Sequence, residues 1–170
     1  MMQIRRLGPE DWQANRAIRL EALAECPGNY FTTLAEAEAR SEADWRAMLA
    51  DPKTAIFGLF DGADLAGLTA IYIADSDPSG RTAGFAMSYI RAPWRGRGNA
   101  ALLHQARLDW ARDNRMTRIL VSHRASNTPS RKAIERSGFT RTGAMPYVWP
   151  DGIEENNVEY ALMLAPNALD

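Results

Sequence analysis

Between positions 89 and 103 the chain reads Tyr89-Ile90-Arg91-Ala92-Pro93-Trp94-Arg95-Gly96-Arg97-Gly98-Asn99-Ala100-Ala101-Leu102-Leu103, a β-prone run, an Arg/Gly turn and a helix-forming run in succession. Glycines at 96 and 98 leave no Cβ over the turn, so several backbone N–H groups converge at the start of a helix. That is an anion cradle, and the helix dipole together with Arg95 and Arg97 suits it to a pyrophosphate. Three ligand classes compete for it. A nucleoside-triphosphate loop needs Lys and Ser/Thr after its last glycine, whereas Asn99-Ala100 follow Gly98 here. Gly96 to Ala101 does satisfy the Gly-x-Gly-x-x-Ala pattern of dinucleotide folds. Against that ligand, four residues separate the strand end from Gly96, the next strand ends in Arg124 rather than an acid, and too little chain remains for a second mononucleotide half. Coenzyme A is the third candidate.

A strand must deliver the chain to this turn and a helix must leave it. Thr82 to Ile90 reads as that strand and Gly98 to Asp113 as that helix, followed by a strand over Arg118 to His123 and a helix over Ser130 to Arg136 that stops at Ser137-Gly138. Upstream, Gln3 to Leu7 reads as a short strand and Trp12 to Ala24 as a helix ended by Cys26-Pro27-Gly28-Asn29. A second helix is carried by Leu34, Ala37, Trp45, Met48 and Leu49. Thr54 to Phe60 and Leu65 to Ala74 form a hairpin around Asp61-Gly62-Ala63-Asp64, and Tyr147 to Trp149 with Val158 to Leu164 form the last pair of strands. The order β, α, α, β, β, β, α, β, α, β, β predicts a mixed α/β domain. Its seven-stranded sheet is mostly antiparallel with a central parallel βαβ step, flanked by about four helices. With no repeat, low-complexity tract or long linker, residues 1–170 are read as one domain.

Charge is distributed unevenly over a chain whose net charge is −1. Residues 1–80 hold 7 basic and 13 acidic groups, residues 81–141 hold 13 and 3, and residues 142–170 hold 0 and 5. The near-neutral total argues against a polyanion-coating protein, and no nucleic-acid-binding motif organises the basic segment. The N-terminus meets charge and proline before any apolar run, and the longest mostly apolar stretch, Leu65 to Ala74, is far below the roughly 20 residues of a membrane helix. A cytoplasmic protein without nucleic-acid or membrane partners is expected. Cys26 is the single cysteine, so neither an intramolecular disulfide nor a multi-cysteine metal site is available, and no metal is expected.

Arg95-Gly96-Arg97-Gly98-Asn99-Ala100 resembles the Arg/Gln-x-x-Gly-x-Gly/Ala acetyl-CoA signature of the GNAT superfamily of N-acetyltransferases. Asn127-Thr128-Pro129-Ser130-Arg131-Lys132-Ala133-Ile134-Glu135-Arg136-Ser137-Gly138-Phe139 is similar to that family's Asn…Gly-Phe helix, and the element order fits from Ile4 to Leu164. The resemblance implies a GNAT fold and an acyltransferase that moves an acetyl group directly from acetyl-CoA to a primary amine of a small molecule or protein N-terminus. It implies backbone amides from Arg95 to Ala100 (Gly96, Arg97, Gly98 and Asn99 between them) around the pyrophosphate, and the strand edge Tyr89, Ile90 and Arg91 along the pantetheine. Asn127 and Ser130 would line the pantetheine arm and thioester, and Arg131 or Lys132 would reach the 3′-phosphate. A bulge before the cradle would open a cleft between the two parallel strands. Many members dimerise, so a homodimer is one of the assemblies the resemblance allows.

Acyl transfer to an amine needs a neutral nucleophile, a route for its proton and stabilisation of the thioester oxygen and thiolate. Family branches that resemble N-terminal ribosomal-protein acetyltransferases use a Glu and a Tyr at positions occupied here by Ser122 and Ile134. The candidates that replace them are Ser130, with capping as its alternative role; His123, with a hydrogen-bonded core role as its alternative; and Glu159, with a structural salt bridge as its alternative. The resemblance to the GNAT superfamily implies an acceptor bordered by Tyr30 and Phe31 and by the last hairpin, at Tyr147, Trp149 and Glu159. Those segments lie in the acidic flanks, which suggests a cationic or amine-bearing acceptor. A non-catalytic acyl-CoA-binding or sensor module is the alternative that the missing Glu/Tyr pair would explain.

Overall fold

The computed structural model describes residues 1–165. Strands β1 (Met2–Arg6), β2 (Thr54–Asp61), β3 (Asp64–Ile73), β4 (Thr82–Ile90), β5 (Arg118–Arg124), β6 (Thr140–Val148) and β7 (Glu154–Met163) form one sheet in the order β1-β2-β3-β4-β5-β7-β6. Every neighbouring pair is antiparallel except β4/β5, whose connection contains helix α4 (Asn99–Asp113). Helices α1 (Trp12–Glu25), α2 (Leu34–Glu38) and α3 (Glu42–Ala50) precede the hairpin, and α5 (Thr128–Arg136) follows β5.

Alternation along the strands separates two cores. Ile56, Leu68, Ala70 and Tyr89 pack with Ile18, Ala22 and Leu49 on the side of α1 and α3, whereas Ala55, Ile71 and Phe85 pack with Trp110, Ala111 and Ile134 on the side of α4 and α5. The sheet is therefore covered on both faces, as its apolar central strands require.

Two boundaries differ from those read in the sequence. The second helix is two helices, so five α-helices replace the expected four or so. Thr33 and Ser41 each open one of the pair by reciprocal capping: Thr33 Oγ1 accepts from the Glu36 N–H at 3.1 Å, and Ser41 Oγ accepts from the Asp44 N–H at 3.1 Å. The last hairpin is longer than the apolar residues suggested. Glu154-Glu155-Asn156-Asn157 has low strand propensity, yet it is held in β7 by pairing with Pro146 to Val148 and Met145 of β6.

Candidate active site

The sheet opens where the cradle begins. β4 and β5 pair only over Thr82–Gly84 against Arg118–Leu120. Beyond that point β4 carries a bulge against β3, with the register passing from Leu68↔Tyr89 to Ala70↔Ala86, and Met87 takes up the extra residue at φ +59°. The bulge bends β4 away from β5, leaving a cleft with backbone groups of Phe85 to Ile90 unpaired toward β5. Tyr89 and Ile90 keep their pairing with β3, and the Arg91 N–H donates to the Ala66 carbonyl at 2.8 Å.

At the mouth of this cleft a short 3-10 turn, Ala92–Trp94, leads into Arg95-Gly96-Arg97-Gly98 and α4. Gly96 and Gly98 sit at φ +70° and +77°, a left-handed conformation that disfavours side chains, and a Cβ on either would point into open space. Among the described residues, no acceptor meets the N–H groups of Gly96, Arg97, Gly98, Asn99 or Ala100. The Asn99 side chain is buried and donates from Nδ2 to the Trp94 carbonyl at 2.9 Å, which fixes the turn to the helix. A cavity of about 380 Å³ lies over these amides, bordered by Ile90, Trp94, Arg95 and Arg136. Five free donors at a helix N-terminus, open to a cavity and continuous with a split between strands, fit a pyrophosphate followed by an extended amide-bearing arm.

The arginines divide their work differently from the sequence reading. Arg95 is committed to protein, with Nη2 2.7 Å from Glu25 Oε1 and Nε donating to the Ile90 carbonyl at 2.6 Å. Arg91 is likewise paired with Glu21 at 2.8 Å. Arg97 makes no ion pair among the described residues, and Arg136 reaches the cavity from α5. Arg131 lies away from the cradle, on a second cavity. The helical turn between 131 and 136 explains this, because residues five apart on a helix point in different directions.

Asn127 is the N-cap of α5, its Oδ1 accepting from the Ser130 N–H at 3.2 Å. Ser130 is half-buried on the first turn of that helix. The other two catalytic candidates are on opposite faces of the sheet. His123 lies across from Val158 and shares its face, whereas Glu159 lies across from Ser122. His123 is buried, with Nδ1 2.7 Å from the Arg124 carbonyl and Nε2 3.3 Å from Tyr160 Oη, and it lines the second cavity. Glu159 is exposed on the same face as Ser122 and has no ion pair among the described residues. The structure does not bring His123, Glu159 and Ser130 together as one constellation.

Tyr30, read from the sequence only as an acceptor-side residue, reaches the bulge itself. Its hydroxyl donates to the Ser88 carbonyl at 3.4 Å, and burial pushes its pKa up to about 12, so it stays protonated. Arg19 is 4% exposed with its guanidinium carbon 5.1 Å from the Tyr30 ring centroid, and its Nε and Nη1 have no hydrogen-bond partner.

The segments expected from the sequence to face the acceptor meet through one buried arginine, which in the sequence served only to argue against a dinucleotide. Arg124, at the end of β5, donates from Nε to Glu155 at 2.5 Å, from Nη1 to Asp151 at 2.6 Å and from Nη1 to the Gly28 carbonyl at 2.9 Å. Its guanidinium also lies 5.5 Å from the Trp149 ring centroid. A Cβ on Gly28 would come within 2.4 Å of Arg124 Nη1, so this approach requires glycine. Glu155 further accepts from the Ser126 N–H and, at 3.0 Å, from the Ser126 hydroxyl. With these links made, Phe31 stacks on Trp149 at 5.2 Å and 18°, and both rings meet Tyr147 edge-on at 5.2 and 5.1 Å. Four acids of the flanks are therefore committed to arginines of the basic segment: Glu21, Glu25, Asp151 and Glu155 all form ion pairs.

A family model described as the Acetyltransferase (GNAT) family matches residues 17–139, which include the bulged strand, the cradle and α5. No curated protein matches the sequence. Among solved structures, an acetyltransferase of the GNAT family from Streptococcus pneumoniae superposes with a TM-score of 0.81 at 16% identity, covering 96% of this chain and 100% of that one. The yncA protein of Salmonella typhimurium, solved with its cofactor acetyl-CoA, superposes at 0.80 and 19% identity over 100% and 98%. A ribosomal-protein-alanine N-acetyltransferase from Brucella melitensis gives 0.80 at 18% identity over 95% and 99%. At these identities the likeness is one of fold. Among the described residues, no helix is long and apolar enough to cross a membrane.

Proposed function

We infer that this chain, which belongs to the GNAT family of acetyltransferases, acts as one domain that moves an acetyl group from acetyl-CoA directly to a primary amine. The observation that carries this reading is the run of unpartnered amides from Gly96 to Ala100 opening on the β4/β5 split. The amides hold the pyrophosphate, with Arg97 and Arg136 as the free cations beside it. In this arrangement Arg136 takes the phosphate-side role that the sequence suggested for Arg131. Ile90 and its neighbours along the split face the pantetheine amides, and Asn127 and Ser130 border the arm from α5. Bound acetyl-CoA supplies an activated acyl carbon whose thiolate departs as the amine nitrogen bonds to it.

Two hydroxyls border the reaction region. Ser130 at the start of α5 and Tyr30 at the bulge are the donors proposed for the departing thiolate, because both remain protonated at neutral pH. Glu159 takes or orients the ammonium proton on the acceptor side. His123 is left out of that role in this reading because it lies on the other face of the sheet. The acceptor lies against Phe31, Tyr147 and Trp149, a surface that favours an amine carried on an apolar or aromatic body. Cation–π attraction is available to an ammonium there. The free edge of β6 at the end of the sheet is the place for a second copy of the chain if it dimerises.

The sensor alternative keeps its one argument, that Ser122 and Ile134 stand where proton-handling residues are common. Calorimetry with acetyl-CoA and a CoA-release assay over a panel of amines separate the two. Binding with turnover of an amine is the expected result. Binding with no transfer to any amine selects the sensor, and no binding at all overturns the cradle.

A further inference from the structure

A second cavity lies on the far side of α5 from the cradle, and no step of the proposed acetyl transfer uses it. It measures about 390 Å³ and is lined by His123, Thr128, Arg131, Glu135, Arg141, Asn156 and Tyr160, sharing no residue with the cradle. Helix α5 stands between the two, presenting Arg136 to one and Arg131 and Glu135 to the other. Neither Arg131 nor Arg141 forms an ion pair among the described residues, although both face the Tyr160 hydroxyl closely enough to act on it electrostatically.

The floor of the cavity has a hydrogen-bond chain whose protons can be counted. The Arg124 carbonyl only accepts, so the His123 Nδ1 2.7 Å away carries a hydrogen. Nε2 lies 3.3 Å from Tyr160 Oη, and Tyr160 Oη lies 3.3 Å from Glu135 Oε1. With a neutral imidazole, the single Tyr160 hydrogen faces two acceptors and satisfies one. With an imidazolium, Nε2–H donates to Tyr160 and Tyr160 donates to Glu135, and every group is paired. Arg131 and Arg141 bring positive charge to the same cavity.

We propose that this cavity binds a small phosphomonoester, its dianionic phosphate held between Arg131 and Arg141 above the His123–Tyr160–Glu135 chain. The cavity has the size typical of small-ligand sites and is larger than a bare phosphate needs, and Thr128 and Asn156 offer hydrogen bonds to the organic part. The charged and titratable groups that line the cavity with His123 are Arg131 and Glu135 from α5, Tyr160 from β7 and Arg141 from β6.

The test is calorimetric titration with glycerol 3-phosphate, inorganic phosphate and glycerol, together with the nuclear magnetic resonance signal of the His123 ring. Glycerol 3-phosphate is expected to bind more tightly than inorganic phosphate and to shift that signal, while glycerol does nothing. The surface double variant Arg131→Gln/Arg141→Gln should weaken binding at least about tenfold, as expected for lost charge-assisted hydrogen bonds. Gly98→Val in the cradle should leave binding unchanged. Binding that survives the double variant, equal binding of inorganic phosphate, or competition by coenzyme A overturns the proposal. Coenzyme A competition would make the cavity part of the cofactor site.

Discussion

The Arg95 to Ala100 turn, proposed as the cofactor cradle, and the cluster around Arg124, proposed as the acceptor side, are built on opposite principles. The cradle is local: one contiguous run from Tyr89 to Ala101 supplies strand, turn and helix start, and its ligand-facing groups are backbone amides. The acceptor side is assembled from the Gly28–Phe31 segment, the end of β5 and the β6–β7 turn, which touch through side chains centred on Arg124. A backbone-built site depends on φ and ψ, and a side-chain-built site depends on the partner that holds it. Acids in the flanks read differently in this light. Several of them fasten the basic middle of the chain to its ends rather than facing an acceptor.

The largest expected effect is at Gly98. A valine there must take up φ near +77° or abandon the turn, a strain of about 1–3 kcal/mol that also turns amides away from the ligand. Gly98→Val should weaken coenzyme A binding about a hundredfold by calorimetry, whereas Arg97→Ala, which removes only a side chain, should cost about tenfold or less. If Arg97→Ala is the more damaging, the cradle is not a backbone site. Next in size is Arg124→Ala, which should raise the acceptor KM about tenfold while coenzyme A affinity stays within about twofold. Gly28→Ala should mimic it by forcing Arg124 Nη1 from its place. Equal loss of cofactor affinity in either variant would collapse the distinction between the two regions. Phe31→Ala removes one stacked and one edge-on contact, about 0.5–1.5 kcal/mol for each aromatic pair, and should lower the thermal midpoint by a few degrees and raise acceptor KM roughly threefold to tenfold.

The smallest effect is on acid stability and belongs to the helix beneath the cradle. Burial holds His104 of α4 down at about 4, with Arg107 adding to the shift, so it remains neutral in the fold where the unfolded chain would protonate it. Between pH 6.5 and about 4 the unfolded state binds the extra proton, so stability should fall as pH drops through that window. Chemical denaturation at several pH values should show this slope, reduced in His104→Phe. A slope unchanged by the substitution would move its origin to other groups.

Much of this was legible along the chain, for stated reasons. The seven strands, the parallel step and the cradle follow from short-range patterns: alternation, turn residues, and glycines before a helix. The split at Ser41 was written in Ser41-Glu42-Ala43-Asp44 as a capping signature, but Trp45, Met48 and Leu49 continued the apolar rhythm across it. Strand β7 was obscured at Glu154 to Asn157 because what holds those residues is the neighbouring strand and Arg124, both distant in sequence.

Sequence alone determined the parts whose physics is local. The Arg95 to Ala100 turn gathers donors at a helix start because glycine conformation and helix termini work within a few residues. Which side chains share a site was decided by tertiary structure. His123 and Glu159 look equally available in the sequence, and pairing with Val158 and Ser122 sends them to opposite faces. Arg131 and Arg136 lie on one short helix, and its rotation assigns them to different cavities. Arg124 becomes the acceptor-side hub only because the fold carries Gly28, Asp151 and Glu155 to it, and hydrogen bonds act over ångströms of space whatever the distance along the chain.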